Sequence, residues 1–254
     1  MDEVGKHETG AIRLGSREVQ IWAIWLTASD AAVAYYYSIL SLNERHRAER
    51  FRFGNLRRSY ILSRGGLRIL LAHYLGCAPT GIEFSGGPKG KPALRDSSSI
   101  RFNTSHSGEM ALYALTVSCE LGVDVEQLRT LDDPESIAMR FFSPGEASEL
   151  LSLNPEDRGT AFFRCWTRKE AYVKAIGDGL TIPLNCFQVT LLPGDPARFI
   201  QLAGDTGIAR DWTLDHLDLE PGYVGALAYR DCRRPTTIHP TVAADDLPDL
   251  LRSR

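Results

Sequence analysis

The chain has 254 residues, 43% of them apolar, and a formal net charge of −3 at pH 7. This length and apolar content can bury a full hydrophobic core, either in one large domain or in two closely packed lobes. The slightly acidic balance argues against nucleic acid as the main partner.

Cysteine spacing and hydropathy indicate where the protein works. The five cysteines are far apart and form no CxxC pair, which predicts reduced thiols rather than a zinc site or a disulfide framework. The polar residues 1–20 contain no signal-peptide apolar stretch, and no run approaches the roughly 20 apolar residues that span a bilayer. We therefore expect a cytoplasmic protein that does not enter a membrane.

The first elements along the chain are one strand and two helices. Apolar periodicity predicts a strand over 19–26, a helix over 42–53 and a longer helix over 56–75 that ends at Gly76. Between Glu44 and Arg68 the sequence contains eight arginines and two glutamates, a local balance of +6. Such a segment is either a solvated helix face or a surface that attracts a polyanion.

The next segment, over 85–92, is a loop that superficially suggests a phosphate-binding P-loop. Its glycines and prolines predict turns. The GxxxxGK[ST] pattern fails, however, because its first glycine position holds Ser85 and its hydroxyl position holds Pro92. We therefore do not expect nucleotide hydrolysis.

The remaining elements mix helices and strands. Strands are predicted over 100–103, 110–117 and 121–126, helices over 134–142, 144–153 and 155–176, and strands again over 187–192, 198–202, 212–219 and 223–229. Because strict βαβ alternation is missing, the pattern predicts the α+β fold class rather than a doubly wound sheet. The tail over 233–254 is polar and rich in proline, and it is predicted to be peripheral.

Two acidic patterns are the basis of the functional prediction. Asp124 and Glu126 are two residues apart in a β-branched run, so on a strand they project from one face. Trp166, Glu170 and Lys174 recur at i, i+4 and i+8, which places them along one stripe of a helix. If strand and helix meet, three carboxylates converge beside a lysine, a set that suits Mg²⁺ and a phosphate. The alternative is a solvated strand face and an ordinary helical surface pair.

Five blocks of sequence can be compared with known families. They are KPAL at 91–94, FNTSHS at 102–107, GVDVE at 122–126, FFSPGE at 141–146 and WTRKEAYVK at 166–174. In this order the blocks resemble the 4′-phosphopantetheinyl transferases, specifically the larger, monomeric branch of the surfactin-synthetase-activating type. The resemblance extends from about 45 to 184.

This resemblance implies a fold. It consists of two similar α/β lobes related by a pseudo-twofold axis, with the active site in the cleft between them. We expect an N-terminal lobe over 1–118 on the 3′-phosphate and adenine side of the cofactor. A C-terminal lobe over 119–232 is expected to carry the metal and the catalytic carboxylates, with the seam near 117–122. The resemblance also implies a monomer.

The resemblance implies a reaction as well. The 4′-phosphopantetheine group would pass from coenzyme A, the co-substrate, to a serine of an apo carrier protein of the acyl, peptidyl or aryl class, releasing 3′,5′-ADP. Asp124, Glu126 and Glu170 are the expected Mg²⁺ ligands. Glu170 is also the expected general base, and Lys174 is expected to stabilise charge on the transferred phosphate or the leaving oxygen.

Further residues are expected to contact coenzyme A. They are Arg47, Arg50, Arg58 and Ser59 at the 3′-phosphate, Lys91 at the adenine and a phosphate, and Ser105, His106 and Lys174. Glu146 either supports the metal site from behind its ligands or occupies the first turn of a helix, where a carboxylate meets the helix dipole.

Two other functions remain open at this point. One is a non-catalytic module that binds coenzyme A or a carrier protein, and the other is a metal-dependent phosphodiesterase with water as nucleophile. Asp124, Glu126, Glu170 and Lys174 favour the transferase over the non-catalytic module. A protein that only binds its ligand does not need three converging carboxylates near a polyanion.

Overall fold

Two main sheets, one from each half of the chain, organise the computed structural model, which describes residues 13–86, 91–95, 98–117, 119–177 and 182–252. The first half contains β1 (Val19–Trp25), α1 (Asp30–Ser38), α2 (Leu42–Glu49), α3 (Gly54–Leu75), β2 (Phe84–Gly86), β3 (Pro92–Leu94), β4 (Ile100–Ser107) and β5 (Met110–Val117). β5 lies between β1 and β4 and pairs antiparallel with both, while β2 pairs with β3 alone. α3 shares a core with this sheet that includes Trp22, Leu62 and Leu70.

The second half builds its own sheet and covers it with one long helix. Its elements are β6 (Leu121–Gln127), α4 (Pro134–Phe141), α5 (Pro144–Ser152), α6 (Pro155–Ile176), β7 (Phe187–Val189), β8 (Phe199–Leu202), α7 (Thr206–Ala209), β9 (Thr213–Leu217) and β10 (Tyr223–Tyr229). β10 pairs antiparallel with both β6 and β9. A core that includes Phe163, Val173 and Ala226 joins α6 to this sheet.

The C-terminal tail belongs to the N-terminal sheet, so the prediction that it is peripheral is wrong. β11 (Thr236–Ile238) and β12 (Val242–Ala243) both pair parallel with β1, and α8 (Leu247–Arg252) follows. The reason is that β1 would otherwise leave its outer backbone groups unpaired. Leu247 and Leu251 also bury their side chains in the N-terminal core.

The fold class is confirmed as α+β, with two lobes that each combine a sheet and a 22-residue helix. α1 was not predicted, although Ser29 followed by an alanine-containing run was an available start signal, and its side chain caps Ala32 N–H. β4 continues beyond the predicted position 103 as far as Ser107. Among the described helices, none is both long enough and apolar enough to cross a membrane.

The lobes meet through an apolar core and a ladder of polar side chains. Apolar residues of both sheets, such as Leu112 and Val123, form one buried cluster. Beside it, Asn103 Oδ1 accepts a hydrogen bond from Val123 N–H at 2.9 Å, and Ser107 Oγ accepts one from Gln127 N–H at 3.1 Å. β4 stays extended as far as Ser107 because it pairs with β5 along its whole length, and its alternate polar side chains find partners on β6.

α6 approaches β6 most closely at Gly122. A Cβ at this position would lie 2.1 Å from Ala171 carbonyl oxygen and 2.3 Å from Ala175 backbone nitrogen. Both atoms belong to the helix backbone, so no side-chain rotation could relieve the overlap. The absence of a side chain at Gly122 thus sets the distance between helix and strand.

We expect Gly122→Ala to destabilise the protein by at least the ~1–3 kcal/mol typical of overpacking. Gly159→Ala is the matched control, because it lies in α6 with no atom within 4 Å of the added Cβ. Replacing a helical glycine with alanine there should stabilise by about 0.5–1 kcal/mol. Urea unfolding followed by circular dichroism measures both. Equal stabilities for Gly122→Ala and the parent protein would contradict the packing described here.

Candidate active site at the lobe junction

Asp124 lies where three elements meet. It is on β6 and 4% exposed, and its Oδ1 accepts hydrogen bonds from Lys174 Nζ at 2.6 Å and from Ser105 Oγ at 2.7 Å. Lys174 Nζ also donates to Ser105 Oγ at 2.9 Å, so α6, β6 and β4 are tied together. Burial raises the pKa of Asp124, while Lys174 and Ser105 act against that rise. The second oxygen, Oδ2, is buried without a hydrogen-bond partner among the described residues.

Glu126 lies two residues further along β6, on the same face as Asp124. Its Oε2 accepts hydrogen bonds from Ser107 Oγ at 2.6 Å and from Arg129 Nη1 at 3.1 Å. The Glu126 side chain is 21% exposed, so solvent reaches the site from this side.

Glu170 projects from α6, one turn before Lys174. Burial raises the pKa of Glu170, and the carboxylates of Asp124 and Glu126 raise it further, against the opposing effect of Lys174. Glu170 therefore lies close enough to Asp124, Glu126 and Lys174 to interact with them electrostatically.

Within the described residues, no group of three or more His, Cys, Asp or Glu side chains is arranged as a metal site. Lys174 explains part of this, since its ammonium lies against Asp124 Oδ1. The donor chemistry nevertheless fits a divalent cation, because carboxylate oxygens are the ligands that Mg²⁺ prefers. Asp124 Oδ2 supports the fit, since a buried carboxylate oxygen without a partner is costly.

A cavity of about 410 Å³ opens beside this cluster on the side of the N-terminal lobe. Its lining comes from α2, α3, the β2–β3 pair, β4 and β5, and includes Arg47, Tyr60, Arg64, Phe84, Ser105 and His106. Because Ser105 also bonds to Asp124 and Lys174, the cavity and the carboxylate cluster share a wall.

Arg64 is a cavity residue that the sequence analysis missed. Its Nε donates to Glu44 Oε1 at 2.5 Å, and its guanidinium lies 3.8 Å from the Phe84 ring centroid. Glu44 Oε2 accepts from Arg68 Nε at 2.7 Å as well, so one carboxylate orients two arginines. The sequence alone gave no signal for this, because Arg64 is placed on the cavity side of α3 by Tyr60, four positions earlier, and only the structure shows that Tyr60 lines a cavity.

Arg47 and Arg50 occupy the end of α2 next to the cavity. Arg47 lines the cavity and lies 5.5 Å from the Tyr60 ring centroid. Arg50 is exposed at the C-cap of α2, almost one turn after Arg47. Arg47 therefore borders the cavity directly, and Arg50 lies at the same end of α2.

Arg58 is not among the residues that line this cavity, so the geometry lends no support to its expected contact with the 3′-phosphate. Its Nη1 donates to Asp30 Oδ1 at 2.7 Å, and its Nη2 donates to the Ala28 carbonyl oxygen. At 100° per residue, Arg58 lies about 160° around α3 from Tyr60, which lines the cavity. Ser59 lies about 100° from Tyr60, on the flank of the helix.

Lys91 bridges the two lobes. Its Nζ donates to Glu120 Oε2 at 2.7 Å, to the Leu121 carbonyl at 3.0 Å and to the Ala175 carbonyl at 3.5 Å. The ammonium is thus bound to protein acceptors at the start of β6 and the end of α6. Its expected contact with the adenine and a phosphate remains a prediction.

His106 stands at the mouth of the cavity with its ring exposed. Partial desolvation lowers the pKa of His106, and the nearby Lys174 cation lowers it further, against the effects of Glu126 and Asp124. The lowered pKa favours the neutral imidazole at neutral pH.

Glu146 belongs to the interior of the C-terminal lobe and occupies the first turn of α5. Its Oε2 accepts from Ser143 N–H at 2.7 Å in a capping box, and its Oε1 accepts from Val189 N–H at 2.8 Å. A fully buried ion pair joins Glu146 to Lys169 at 2.7 Å. Of the two roles considered for Glu146, the structure therefore supports the helix terminus.

Sequence comparisons agree with this geometry. Residues 24–118 match the family described as 4′-phosphopantetheinyl transferase, N-terminal, and residues 120–228 match the 4′-phosphopantetheinyl transferase superfamily. The 4′-phosphopantetheinyl transferase HetI of Nostoc sp. strain PCC 7120 is 39% identical over 220 residues, covering 85% of this chain and 90% of that protein. The 4′-phosphopantetheinyl transferase Sfp of Bacillus subtilis strain 168 is 31% identical over 156 residues, covering 61% and 68%.

Similarity to solved structures is partial. Holo-[acyl-carrier-protein] synthase of Thermotoga maritima aligns with 45% of this chain and 64% of its own, with 20% identity and a TM-score of 0.35. Family membership therefore rests on the sequence relatives. The chain belongs to the 4′-phosphopantetheinyl transferases.

We expect Lys174→Met to raise the pKa of His106, because the substitution removes a cation that disfavours the imidazolium and leaves two carboxylates that favour it. NMR titration of the histidine ring signals measures this shift. His216 is the internal control, since its neighbouring cations are Arg168 and Arg164, and its pKa should not change. An unchanged pKa of His106 would show that Lys174 does not lie near this ring in solution.

Proposed function

We propose that the chain transfers the 4′-phosphopantetheine group of coenzyme A to a serine of an apo carrier protein, in the presence of Mg²⁺, and releases 3′,5′-ADP. The observation that carries this proposal is the cluster of Asp124, Glu126, Glu170 and Lys174 at the wall of a cavity lined by arginines. The curated relatives that are named as transferases of this group support the class of reaction.

The three carboxylates would hold the metal. Asp124 would contribute its unpartnered Oδ2, and Glu126 and Glu170 would complete the set of hard oxygen ligands. When bound, Mg²⁺ supplies positive charge that offsets the charge of the pyrophosphate.

Lys174 would bind the phosphate that is transferred. An ammonium group has three N–H donors, and Asp124 Oδ1 and Ser105 Oγ accept two of those of Lys174. The third can donate to a phosphate oxygen. Both acceptors fix the ammonium at the wall of the cavity, so its charge is in place before the reaction begins.

Glu170 would accept the proton of the carrier serine. Burial and the neighbouring carboxylates raise the pKa of Glu170 in the metal-free protein, and a bound cation would act against this rise. As the serine oxygen bonds to phosphorus, the bond from phosphorus to the leaving oxygen of 3′,5′-ADP breaks. Turnover should therefore fall at acidic pH, where Glu170 becomes protonated, because the protonated carboxyl cannot act as base.

The cavity would hold the nucleotide end of coenzyme A. Arg47 and Arg64 supply two cations for its 3′-phosphate, and Tyr60 and Phe84 supply aromatic walls. Glu44 holds Arg64 in a fixed orientation. A positioned guanidinium loses less conformational entropy when it binds a phosphate.

The carrier protein is expected to dock on the C-terminal lobe between Arg129 and Leu153. Met139 is 68% exposed there and Phe141 is 38% exposed. Arg140 is also exposed and adds positive charge, which suits a carrier that is acidic around its serine.

The direct test incubates the protein with coenzyme A, Mg²⁺ and an apo carrier protein and measures the carrier by mass spectrometry. We expect one phosphopantetheine group per carrier, no product with a chelator present, and recovery when Mg²⁺ is added. Glu170→Gln should bind coenzyme A but lose about 10²–10⁴-fold in kcat, the usual contribution of a general base.

Two results would contradict the proposal. An unmodified carrier with the parent protein excludes the transfer itself. Undiminished kcat for Glu170→Gln at saturating substrates leaves the transfer intact but removes Glu170 as the base. Hydrolysis of coenzyme A without carrier modification would instead support a phosphodiesterase.

The arginines differ in their expected kinetic effects. Arg47→Gln should raise the KM for coenzyme A about tenfold with little change in kcat, because the 3′-phosphate is remote from the bond that breaks. Arg58→Gln is the matched control and should leave the KM unchanged, since Arg58 faces Asp30. Dephospho-coenzyme A, which lacks the 3′-phosphate, should show no difference between the parent and Arg47→Gln. A higher KM for Arg58→Gln than for Arg47→Gln would reverse the assignment.

A further inference from the structure

A second set of cavities lies in the C-terminal lobe, away from the lobe junction. One has a volume of about 720 Å³ and the other of about 270 Å³, and they share Pro196, Ala197 and His216. On α6, Arg164 and Arg168 line the smaller cavity. They lie on a different face of the helix from Glu170, because at 100° per residue Arg168 and Glu170 are about 200° apart.

Positive charge predominates in these cavities. The smaller is lined by Arg164, Arg168 and Asp195, and the larger by Arg198, Arg210, Arg233 and Asp215. Five arginines and two aspartates give a balance of +3 before His216 is counted. The Arg233 guanidinium donates a hydrogen bond to Asp215. Asp195 is then the one lining aspartate left for the other four arginines.

Arg168 is the most informative member. It is 3% exposed, and its Nη1 donates to Thr190 carbonyl at 2.5 Å and to Thr190 Oγ1 at 3.1 Å. Its Nε has no hydrogen-bond partner, and no carboxylate lies within 4.0 Å of its guanidinium among the described residues. A buried cation without a carboxylate in contact is costly. Burial lowers the pKa of Arg168 to about 10, and the more distant Asp195 acts against that fall. A bound anion would supply the missing charge.

The walls indicate which anion would fit. Guanidinium groups bind phosphate and carboxylate through paired hydrogen bonds, and the excess of positive charge favours a dianion. Trp212 and Phe199 line the larger cavity and provide an apolar surface next to the arginines. A phosphate group attached to an aromatic or apolar moiety would use both features.

We propose that these adjoining cavities, between α6, β9 and the 192–198 loop, bind a phosphate group next to Arg164, Arg168 and Arg198. The site is separate from the carboxylate cluster and does not depend on the proposed transfer reaction. Its ligand is either inorganic phosphate or a phosphorylated organic molecule, and the two share the chemistry of the phosphate group.

NMR signals inside each site distinguish this cavity from the junction. We would titrate the full-length protein with inorganic phosphate, and separately with adenosine 5′-monophosphate, while following the Trp212 indole and the ring signals of His216 and His106. The Trp212 and His216 signals report the proposed site, and the His106 signal reports the cavity at the junction.

We expect saturable shifts of Trp212 and His216 with both probes. The double variant Arg164→Gln, Arg198→Gln should weaken the apparent affinity at these signals at least tenfold. Arg252→Gln, at an exposed arginine of α8, is the control and should leave the apparent affinity unchanged. Arg168 is not replaced, because a substitution of this buried side chain would also disturb the fold and so weaken binding for a different reason.

The pKa of His216 provides an independent measurement. The charged groups that face this ring are Arg164 and Arg168 from α6, Asp218 after β9 and Asp195 from the loop. Desolvation and the two arginines lower the pKa of His216, so a phosphate bound beside it should raise the pKa.

The relative affinities of the two probes distinguish the two kinds of ligand. Tighter binding of the nucleotide than of phosphate supports an organic phosphate monoester, and equal affinities support a site for inorganic phosphate. Shifts confined to His106, shifts of Trp212 and His216 that persist undiminished in the double variant, or an unchanged pKa of His216 would each overturn the proposal.

Discussion

The close approach of α6 to β6 at Gly122 is the constraint on which the junction depends. The backbone of the helix lies against a strand position that has no side chain, with the small residues Ala171 and Ala175 on the helix side. This contact fixes the position of α6 relative to β6. Lys174 Nζ can therefore lie 2.6 Å from Asp124 Oδ1. A charge-assisted hydrogen bond tolerates little lengthening, so moving the helix outward would separate the ammonium from the carboxylate. The same movement would take Glu170 away from the cluster.

The two sheets form one site although β4 and β6 do not pair through their backbones. Hydrogen bonds from side chains of β4 to β6 join the sheets instead. Alternate β4 side chains hold β6 backbone or carboxylate groups, and Ser105 is both part of this ladder and a wall of the cavity. An anionic ligand in the cavity therefore lies next to the carboxylates of the other lobe. The arrangement needs compensating positive charge, and Lys174 and the arginines of the first lobe provide it.

Strong local patterns were predicted correctly from periodicity, and the two lobes were predicted correctly from the family resemblance, whereas several individual tertiary contacts were not predicted. The long helix over 155–176 and the strand spacing of Asp124 and Glu126 follow from periodicity alone, and the α+β class follows from the order of elements. The tail was misjudged because its pairing with β1 depends on an edge that lies more than 200 residues earlier in the chain. Likewise, Arg58 and Arg64 are both arginines of α3. They were distinguished only when Tyr60 was found to line the cavity, because Arg64 lies about 40° and Arg58 about 160° around the helix from Tyr60. Glu44, which orients Arg64, could not be recognised before α2 and α3 were seen to pack together.

The central claim is that a metal held by the carboxylates of one lobe and coenzyme A held by the other form a single site. Calorimetric titration of coenzyme A with and without Mg²⁺ tests this claim directly, because two ligands that share a site must change each other's affinity by the same factor. We expect Mg²⁺ to tighten coenzyme A binding about tenfold or more in the parent protein, and to have no such effect in Asp124→Asn, which lacks the anionic oxygen. Equal coenzyme A affinities with and without Mg²⁺ in the parent protein would contradict the account.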